Sequence, residues 1–352
     1  MSAENTDRIH CLDGWRGIAI LLVLVAHYKA AFQGDHGLNL GGHGVQIFFV
    51  LSGYLITTQL VQHDRVRLKP FYIRRAFRIL PPALFYLLTL VMLTAFTPFR
   101  VCGSDVWACL LLFRNYVAET VTNTCTGHFW SLSLEEQFYL FWPAILLLLG
   151  RKKSLFAAAG LAVSIAIFRS EYWSYYAVGL RALYTEVRAD GLLIGCALAL
   201  TLQHNRFREW VQRTGMWLFW PALAVFLADA LNFPEYIPLH ESIAIAVMLG
   251  VTSLRPETLI GRALEWDFLK ATGIFSYSIY IWQGLFLRPN WGGLWPVLLV
   301  SAVLISYFVV EQPARKLGRR LAKHFEEDSL PSASRNGESE SPELAISQAS
   351  AQ

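Results

Sequence analysis

Apolar stretches long enough to cross a bilayer recur along most of the chain. A helix needs about 17 to 25 mainly apolar residues to cross roughly 30 Å of hydrocarbon. The pattern predicts about ten such helices, at residues 14–32, 43–62, 79–97, 131–149, 154–169, 189–203, 215–231, 239–254, 272–288 and 294–311. The predicted fold class is therefore all-α, a polytopic integral membrane helical bundle.

Whether the apolar piece at 106–113 crosses the membrane decides the topology of the chain that follows it. The piece is too short to cross. Lys and Arg in short loops stay on the cytoplasmic side. The basic clusters lie at 65–78, 151–153, 206–213, 255–270 and 315–323. If the N-terminus is inside and 106–113 does not span, all these clusters are cytoplasmic. We therefore predict that both termini are cytoplasmic.

Composition agrees with a membrane protein. The chain is 55% hydrophobic and 16% charged, with a mean hydropathy of +0.39, whereas soluble domains carry about 25% charged residues. We expect membrane lipid around the chain and no nucleic-acid partner, and the sequence does not indicate an oligomeric state. The first apolar run has no small-residue cleavage site after it, so we expect it to remain as a helix rather than be removed as a signal peptide.

The character of the chain changes near residue 325. Residues 1–325 form the predicted membrane domain, whereas 326–352 are acidic, Ser-rich and almost free of bulky apolar side chains. Such a segment buries too little surface to offset the entropy of ordering, so a disordered cytoplasmic tail is predicted. In the large predicted outer loop, Cys102 and Cys125 are consistent with a disulfide or with two unpaired thiols.

The first predicted span contains two candidate functional residues, Arg16 and His27. Arg16 and His27 are eleven positions apart, about 16 Å and close to three turns, so they share one helix face. An ionisable side chain inside a membrane is costly and indicates function by default. His27 is either a packed, hydrogen-bonded imidazole or a general base that activates a hydroxyl.

Further candidate residues follow in the next predicted spans and loops. Ser52 is one of several small residues that favour close helix packing. Arg74, Arg75 and Arg78 are either topogenic or a phosphate site, because guanidinium forks pair with phosphate oxygens.

Carboxylates occur at the entrances of two later spans. Glu135 and Glu136 are adjacent at the start of one span, and at most one of them is expected to face the bundle interior. Near a later span, Arg188 and Asp190 are interpreted as a structural salt bridge.

Together these segments resemble the acyltransferase 3 family, the bacterial membrane O-acyltransferases of O-antigen, exopolysaccharide, Nod factor and macrolide type. The similar segments are Leu12-Asp13-Gly14-Trp15-Arg16-Gly17 with His27, Phe48-Phe49-Val50-Leu51-Ser52-Gly53-Tyr54, Arg74-Arg75-x-x-Arg78, Trp130-Ser131-Leu132 with Glu135-Glu136-Gln137-Phe138-Tyr139, Arg188-x-Asp190-Gly191, Ser276-Tyr277-Ser278-Ile279-Tyr280 and Glu311-x-Pro313-Ala314-Arg315. The resemblance covers residues 8 to 322. Gln283 stands after Trp282 where family members commonly have His, which puts proton handling at that position in doubt.

The resemblance implies transfer of an acyl group, most often acetyl, from cytoplasmic acyl-CoA to a carbohydrate hydroxyl at the outer face of the bacterial inner membrane. It implies a donor site at Arg74, Arg75 and Arg78, with Ser52 assisting. Arg16 either helps to position the donor or bridges to a carboxylate and holds the bundle together. His27 would be the base, and Glu135 or Glu136 would orient it or balance its charge. No metal is expected, because His, Cys and Asp lack ligand spacing.

Two other classes of protein fit many of the same features. A transporter or flippase of envelope glycans also has many spans and buried charges, but the two halves of this chain show no internal similarity. A non-catalytic assembly factor would tolerate replacement of His27. A labelled acyl-CoA assay on the purified protein separates an enzyme from a transporter.

The positions of the basic clusters give a prediction of sidedness. A reporter fused near Lys153 should report the cytoplasm, because the cluster at 151–153 then follows an even number of spans. Reporter activity in the periplasm would contradict the ten-span topology.

Overall fold

The structure is a computed structural model of the full chain. It describes residues 10–34, 39–62, 67–117, 125–171, 183–232 and 238–327. The predicted tail falls almost entirely outside these residues. Among the described residues the secondary structure is helical, with no β-strand, as the apolar pattern predicts.

The described part of the chain contains thirteen α-helices. They are α1 (His10–Tyr28), α2 (Leu40–Val61), α3 (Leu68–Phe96), α4 (Gly103–Leu110), α5 (Phe129–Glu171), α6 (Thr185–Arg188), α7 (Asp190–Thr201), α8 (Asn205–Asn232), α9 (Leu239–Leu254), α10 (Leu259–Leu264), α11 (Asp267–Phe286), α12 (Trp295–Ile305) and α13 (Gln312–Glu327). Wider π-helical turns, Lys29–Gln33 and Ser306–Glu311, extend α1 and join α12 to α13.

Six helical stretches of the described chain are long and apolar enough to cross a membrane: His10–Gln33, Leu40–Val61, Leu68–Phe96, Phe129–Glu171, Asn205–Leu231 and Pro289–Phe325. Two shorter apolar helices, α7 and α9, accompany them. The expectation of a multi-pass helical membrane protein is confirmed, whereas ten spans and cytoplasmic termini remain predictions. The piece at 106–113 lies largely in α4, whose 8 residues are too few to cross.

Two of the predicted spans lie within the single helix α5. This helix has 43 residues and is interrupted at Gly150, whose φ is 70°. Glycine adopts a positive φ without the steric cost that a side chain brings. The chain can therefore bend there, with helical segments at 129–149 and 151–171 on either side.

Glycines bring two pairs of helices into backbone contact. A Cβ built on Gly273 of α11 would collide with the backbone oxygen of Asp13 in α1, and one on Gly53 of α2 would collide with that of Leu192 in α7. Because lipid is as apolar as the helices, the hydrophobic effect does not drive helices together inside a membrane. Close packing through small residues stabilises the bundle instead. These contacts place α11 against α1 and α7 against α2.

The structure decides between the two alternatives for Cys102 and Cys125. All five cysteines are free. Cys102 lies 3.0 Å from the Ser104 hydroxyl, whereas Cys125 is completely buried and the Tyr86 hydroxyl donates to its backbone oxygen at 2.7 Å. The alternative of two unpaired residues therefore holds.

The contact at Gly53 predicts a position-specific loss of stability. Gly53→Ala should lower the free energy of unfolding by about 1 to 3 kcal/mol, because the new methyl group meets backbone that cannot rotate away. Gly160→Ala in α5 is the matched control: a Cβ added there would have no atom within 4 Å, and alanine favours a helix. Thermal unfolding in one detergent compares them, and equal transition temperatures would contradict the close contact.

Candidate functional site

A cavity of about 730 Å³ lies between α1, α2, α3, α5 and α11. Five side chains singled out in the sequence line it: Arg16, Ser52, Arg75, Arg78 and Glu135. They come from four helices and from positions more than a hundred residues apart. The structure therefore brings most of the predicted donor site together.

The cavity runs along the bundle between two ends. At one end it is lined by Arg151 and Gln203, and the Arg151 guanidinium donates to the Val61 backbone oxygen at 2.9 Å; we call this the Arg151 end. The cavity extends toward the other end, where α1 finishes and α2 starts, and there Ser131 and Tyr280 line it. We call that end the His27 end.

Arg75 is held between two carboxylates. Its guanidinium nitrogens lie 3.8 Å from Glu135 Oε2 and 3.7 Å from Glu136 Oε1, and its guanidinium carbon lies 3.5 Å from the centre of the Tyr139 ring. The Tyr139 hydroxyl donates to Glu135 at 2.7 Å. Only Glu135 lines the cavity, which agrees with the expectation that adjacent residues diverge, although both carboxylates reach Arg75.

The other arginines of the predicted donor site differ in their partners. Arg16 donates to Asp13 at 2.9 Å. Among the described residues, Arg78 has no hydrogen-bond or ion-pair partner within bonding distance, although the charges of Arg16, Arg75, Arg315 and Glu311 act on it. The side chain of Arg74 does not line the cavity. Arg78 is thus the cation best placed to receive an anionic group.

The wall of the cavity toward the His27 end is a layer of hydrogen-bonded side chains. The hydroxyls of Ser131 and Tyr280 lie 2.5 Å apart, and the Tyr280 hydroxyl also donates to the backbone oxygen of His128 at 2.9 Å. The His128 ring is buried and packs edge-on against Tyr280 at 5.5 Å. Ser131 and Tyr280 thus line the cavity, and His128 lies behind Tyr280.

His27 does not line the cavity. It lies in the last turn of α1, is exposed, and its Nδ1 donates to the Val23 backbone oxygen at 2.8 Å. This bond, rather than Glu135 or Glu136, orients the imidazole. It also assigns the proton to Nδ1 and leaves the lone pair on Nε2. His27 is near enough to His128 for its charge to act on that ring.

The structure revises the interpretation of Arg188 and Asp190 as a pair. Arg169 donates to both carboxylate oxygens of Asp190, at 2.9 Å each, and all of these groups are buried. The buried bidentate pair joins the end of α5 to the start of α7. Arg188 is left outside it.

Several residues of the site were not predicted from the sequence. Asp13 is detectable as the carboxylate three positions before Arg16, a spacing that brings two helical side chains together. Ser131 and Tyr280 fall within the family motifs quoted above, but their contact with each other has no local signal, because it depends on the packing of α5 against α11. Within the described residues, no group of three or more His, Cys, Asp or Glu side chains could hold a metal ion.

The family model described as an acyltransferase domain matches residues 9–310. The chain belongs to the acyltransferase 3 family. It is 29% identical to the peptidoglycan O-acetyltransferase OatA of Listeria monocytogenes, over 87% of this chain and 56% of that protein. It is 28% identical to the putative peptidoglycan O-acetyltransferase YrhL of Bacillus subtilis, over 88% and 55%. A putative O-acetyltransferase of Staphylococcus aureus strain COL is also 28% identical, over 87% and 57%.

This acyltransferase 3 chain spans little more than half the length of these curated relatives. No solved structure matches it. The matched residues include the whole cavity, His27 and the layer between them.

Proposed function

We propose that the chain transfers an acyl group, acetyl in the first instance, from cytoplasmic acyl-CoA to a hydroxyl of a cell-surface carbohydrate across the bacterial inner membrane. One observation carries the proposal. A single cavity gathers Arg16, Arg75 and Arg78 with Ser52 and Glu135, and the layer formed by Ser131, Tyr280 and His128 lies toward His27. A donor in the cavity and an acceptor at the His27 end would meet at that layer.

The charges of the cavity fit the donor. Asp13 partly balances Arg16, and two glutamates balance Arg75, whereas Arg78 keeps an open guanidinium. A guanidinium fork binds phosphate oxygens through two parallel hydrogen bonds. The phosphates of coenzyme A would therefore lie on Arg78 near Arg16, and the flexible thioester arm would follow the cavity to Ser131 and Tyr280.

The tautomer of His27 fits the role of general base. With its Nδ1 proton committed to Val23, Nε2 accepts the proton of the acceptor hydroxyl. The hydroxyl oxygen then forms the new ester bond to the thioester carbonyl carbon. The carbon–sulfur bond breaks, the sulfur leaves as the coenzyme A thiolate, and the imidazolium proton is returned to it or to water.

The acceptor follows from the relatives only as a chemical class. Two of them are named as peptidoglycan O-acetyltransferases, one of these as putative, and peptidoglycan is a carbohydrate polymer that lies outside the membrane. A glycan hydroxyl presented at the His27 end is therefore the proposed acceptor. The topology proposed with it has ten spans and places the Arg151 end in the cytoplasm.

The donor site makes a testable prediction at Arg78. Arg78→Gln should raise the KM for acetyl-CoA about ten- to hundredfold, because a charge-assisted hydrogen bond is lost, with a smaller change in kcat. Arg78→Lys should fall between, since lysine keeps the charge without the fork. Arg213→Gln is the control: that side chain is 81% exposed and lies outside the cavity. An unchanged KM in Arg78→Gln would show that Arg78 does not bind the donor and has only a topogenic role.

The base makes a second prediction. His27→Ala and His27→Gln should each lower acyl transfer by about 10² to 10⁴ in rate, because neither side chain accepts a proton at neutral pH. Acetyl-CoA binding should be unchanged, since His27 lies outside the cavity. His240→Gln is the control, as that imidazole is also at the His27 end and 59% exposed. Substantial turnover by His27→Gln would show that His27 only packs or orients, and would move the search for the base to His128, Glu135 or Glu136.

A further inference from the structure

A second group of buried polar side chains lies at the His27 end, outside the cavity. It consists of Arg188, His43, Gln46 and Glu241, and we call it the Arg188 cluster. These side chains come from α6, α2 and α9 and are between 0% and 8% exposed. Buried polar atoms normally find a hydrogen-bond partner, so the atoms left over in this cluster require an explanation.

Three of these residues satisfy only part of their capacity. His43 Nδ1 donates to Glu241 Oε1 at 2.8 Å, and Gln46 Nε2 donates to the Ser242 hydroxyl at 2.7 Å. In the described part of the chain, His43 Nε2, Glu241 Oε2 and Gln46 Oε1 are buried without a partner. The cluster therefore presents unused hydrogen-bond acceptors.

Arg188 presents unused donors beside them. Because Asp190 is bonded to Arg169, Arg188 has no ion pair or hydrogen bond to any described residue. Its Nε is buried without a partner, and Asp190 and Glu241 act on it only through their charges. The guanidinium carbon lies 5.8 Å from the centre of the Trp130 ring. A buried guanidinium nitrogen left without a hydrogen bond is costly, so packing alone does not account for this side chain.

The charges of the cluster are already balanced. Arg169 and Asp190 neutralise each other, and the charge of Glu241 offsets that of Arg188. The site thus lacks hydrogen bonds rather than negative charge. Sugar hydroxyls both donate and accept, so a neutral carbohydrate can complement the unused donors and acceptors together. The Trp130 ring supplies an apolar face of the kind that an aromatic side chain offers in binding sites.

The position of the cluster connects it to the proposed reaction. Trp130 immediately precedes Ser131, which lines the cavity, and packs edge-on against Phe49 at 5.9 Å. We propose that Arg188 and Trp130 form a subsite for a neutral sugar unit of the acceptor, next to the layer where the acyl group is transferred. This inference rests on the proposed function, because it assigns the acceptor side of the same reaction.

The test measures sugar binding separately from catalysis. Chitotetraose, a neutral N-acetylated tetrasaccharide, is titrated into the purified full chain in nanodiscs by calorimetry. Arg188→Gln should weaken its binding about tenfold or more, as expected for the loss of more than one hydrogen bond. Arg188→Lys should weaken it as well, because the fork is lost, and Trp130→Leu should do so by removing the ring. Acetyl-CoA affinity and thermal unfolding report whether each variant is folded.

Arg213→Gln removes an exposed arginine and should bind chitotetraose like the wild type. Equal affinity in folded Arg188→Gln, or no saturable binding by the wild type, would overturn the subsite. Tighter binding of tetragalacturonate, an acidic tetrasaccharide, would overturn the choice of a neutral sugar. If sugar binding depends on Arg188 while no acyl transfer occurs, the proposed function fails and the subsite stands. If acyl transfer occurs and the KM for the acceptor does not depend on Arg188, the proposed function stands and the subsite fails.

Discussion

The need to neutralise charge inside a membrane governs this structure. Arg75 illustrates it: two carboxylates and the face of the Tyr139 ring surround its guanidinium. A charge in hydrocarbon is costly unless it is paired. The arrangement therefore fixes α3 against α5, and with them one wall of the cavity. Arg78 lies one helical turn after Arg75, so the same contact determines its position.

The same constraint divides the remaining arginines into two groups. Arg169 forms a bidentate ion pair with Asp190, and this pair joins two helices. Arg78 and Arg188 lack such a bond among the described residues, and these are the two positions proposed above for binding the donor and the acceptor. A paired arginine satisfies both charges within the protein, whereas an open cation retains the capacity to bind. Under these proposals, the pairing pattern rather than the number of arginines separates structural from binding positions.

The sequence was informative where the signal is local. Apolar runs placed a helix at each predicted span, and family motifs selected five side chains that line one cavity. Pairing across the bundle had no such signal: Asp190 was assigned to Arg188 two positions away, but its partner is Arg169, 21 residues away. Likewise, eleven-residue spacing put Arg16 and His27 on one helix face, but it could not show that Ser131 and Tyr280 lie between the cavity and His27.

That intervening layer constrains any reaction between a donor in the cavity and an acceptor at His27. The Ser131 and Tyr280 hydroxyls bond to each other, and Tyr280 also bonds to the His128 backbone. In the proposed reaction, these bonds must part before a thioester in the cavity can meet a hydroxyl at the His27 end. Each such bond is worth only about 1 kcal/mol net, so the binding energy of a correctly placed acceptor is enough to part them. Acceptor binding and access to the thioester would then be coupled.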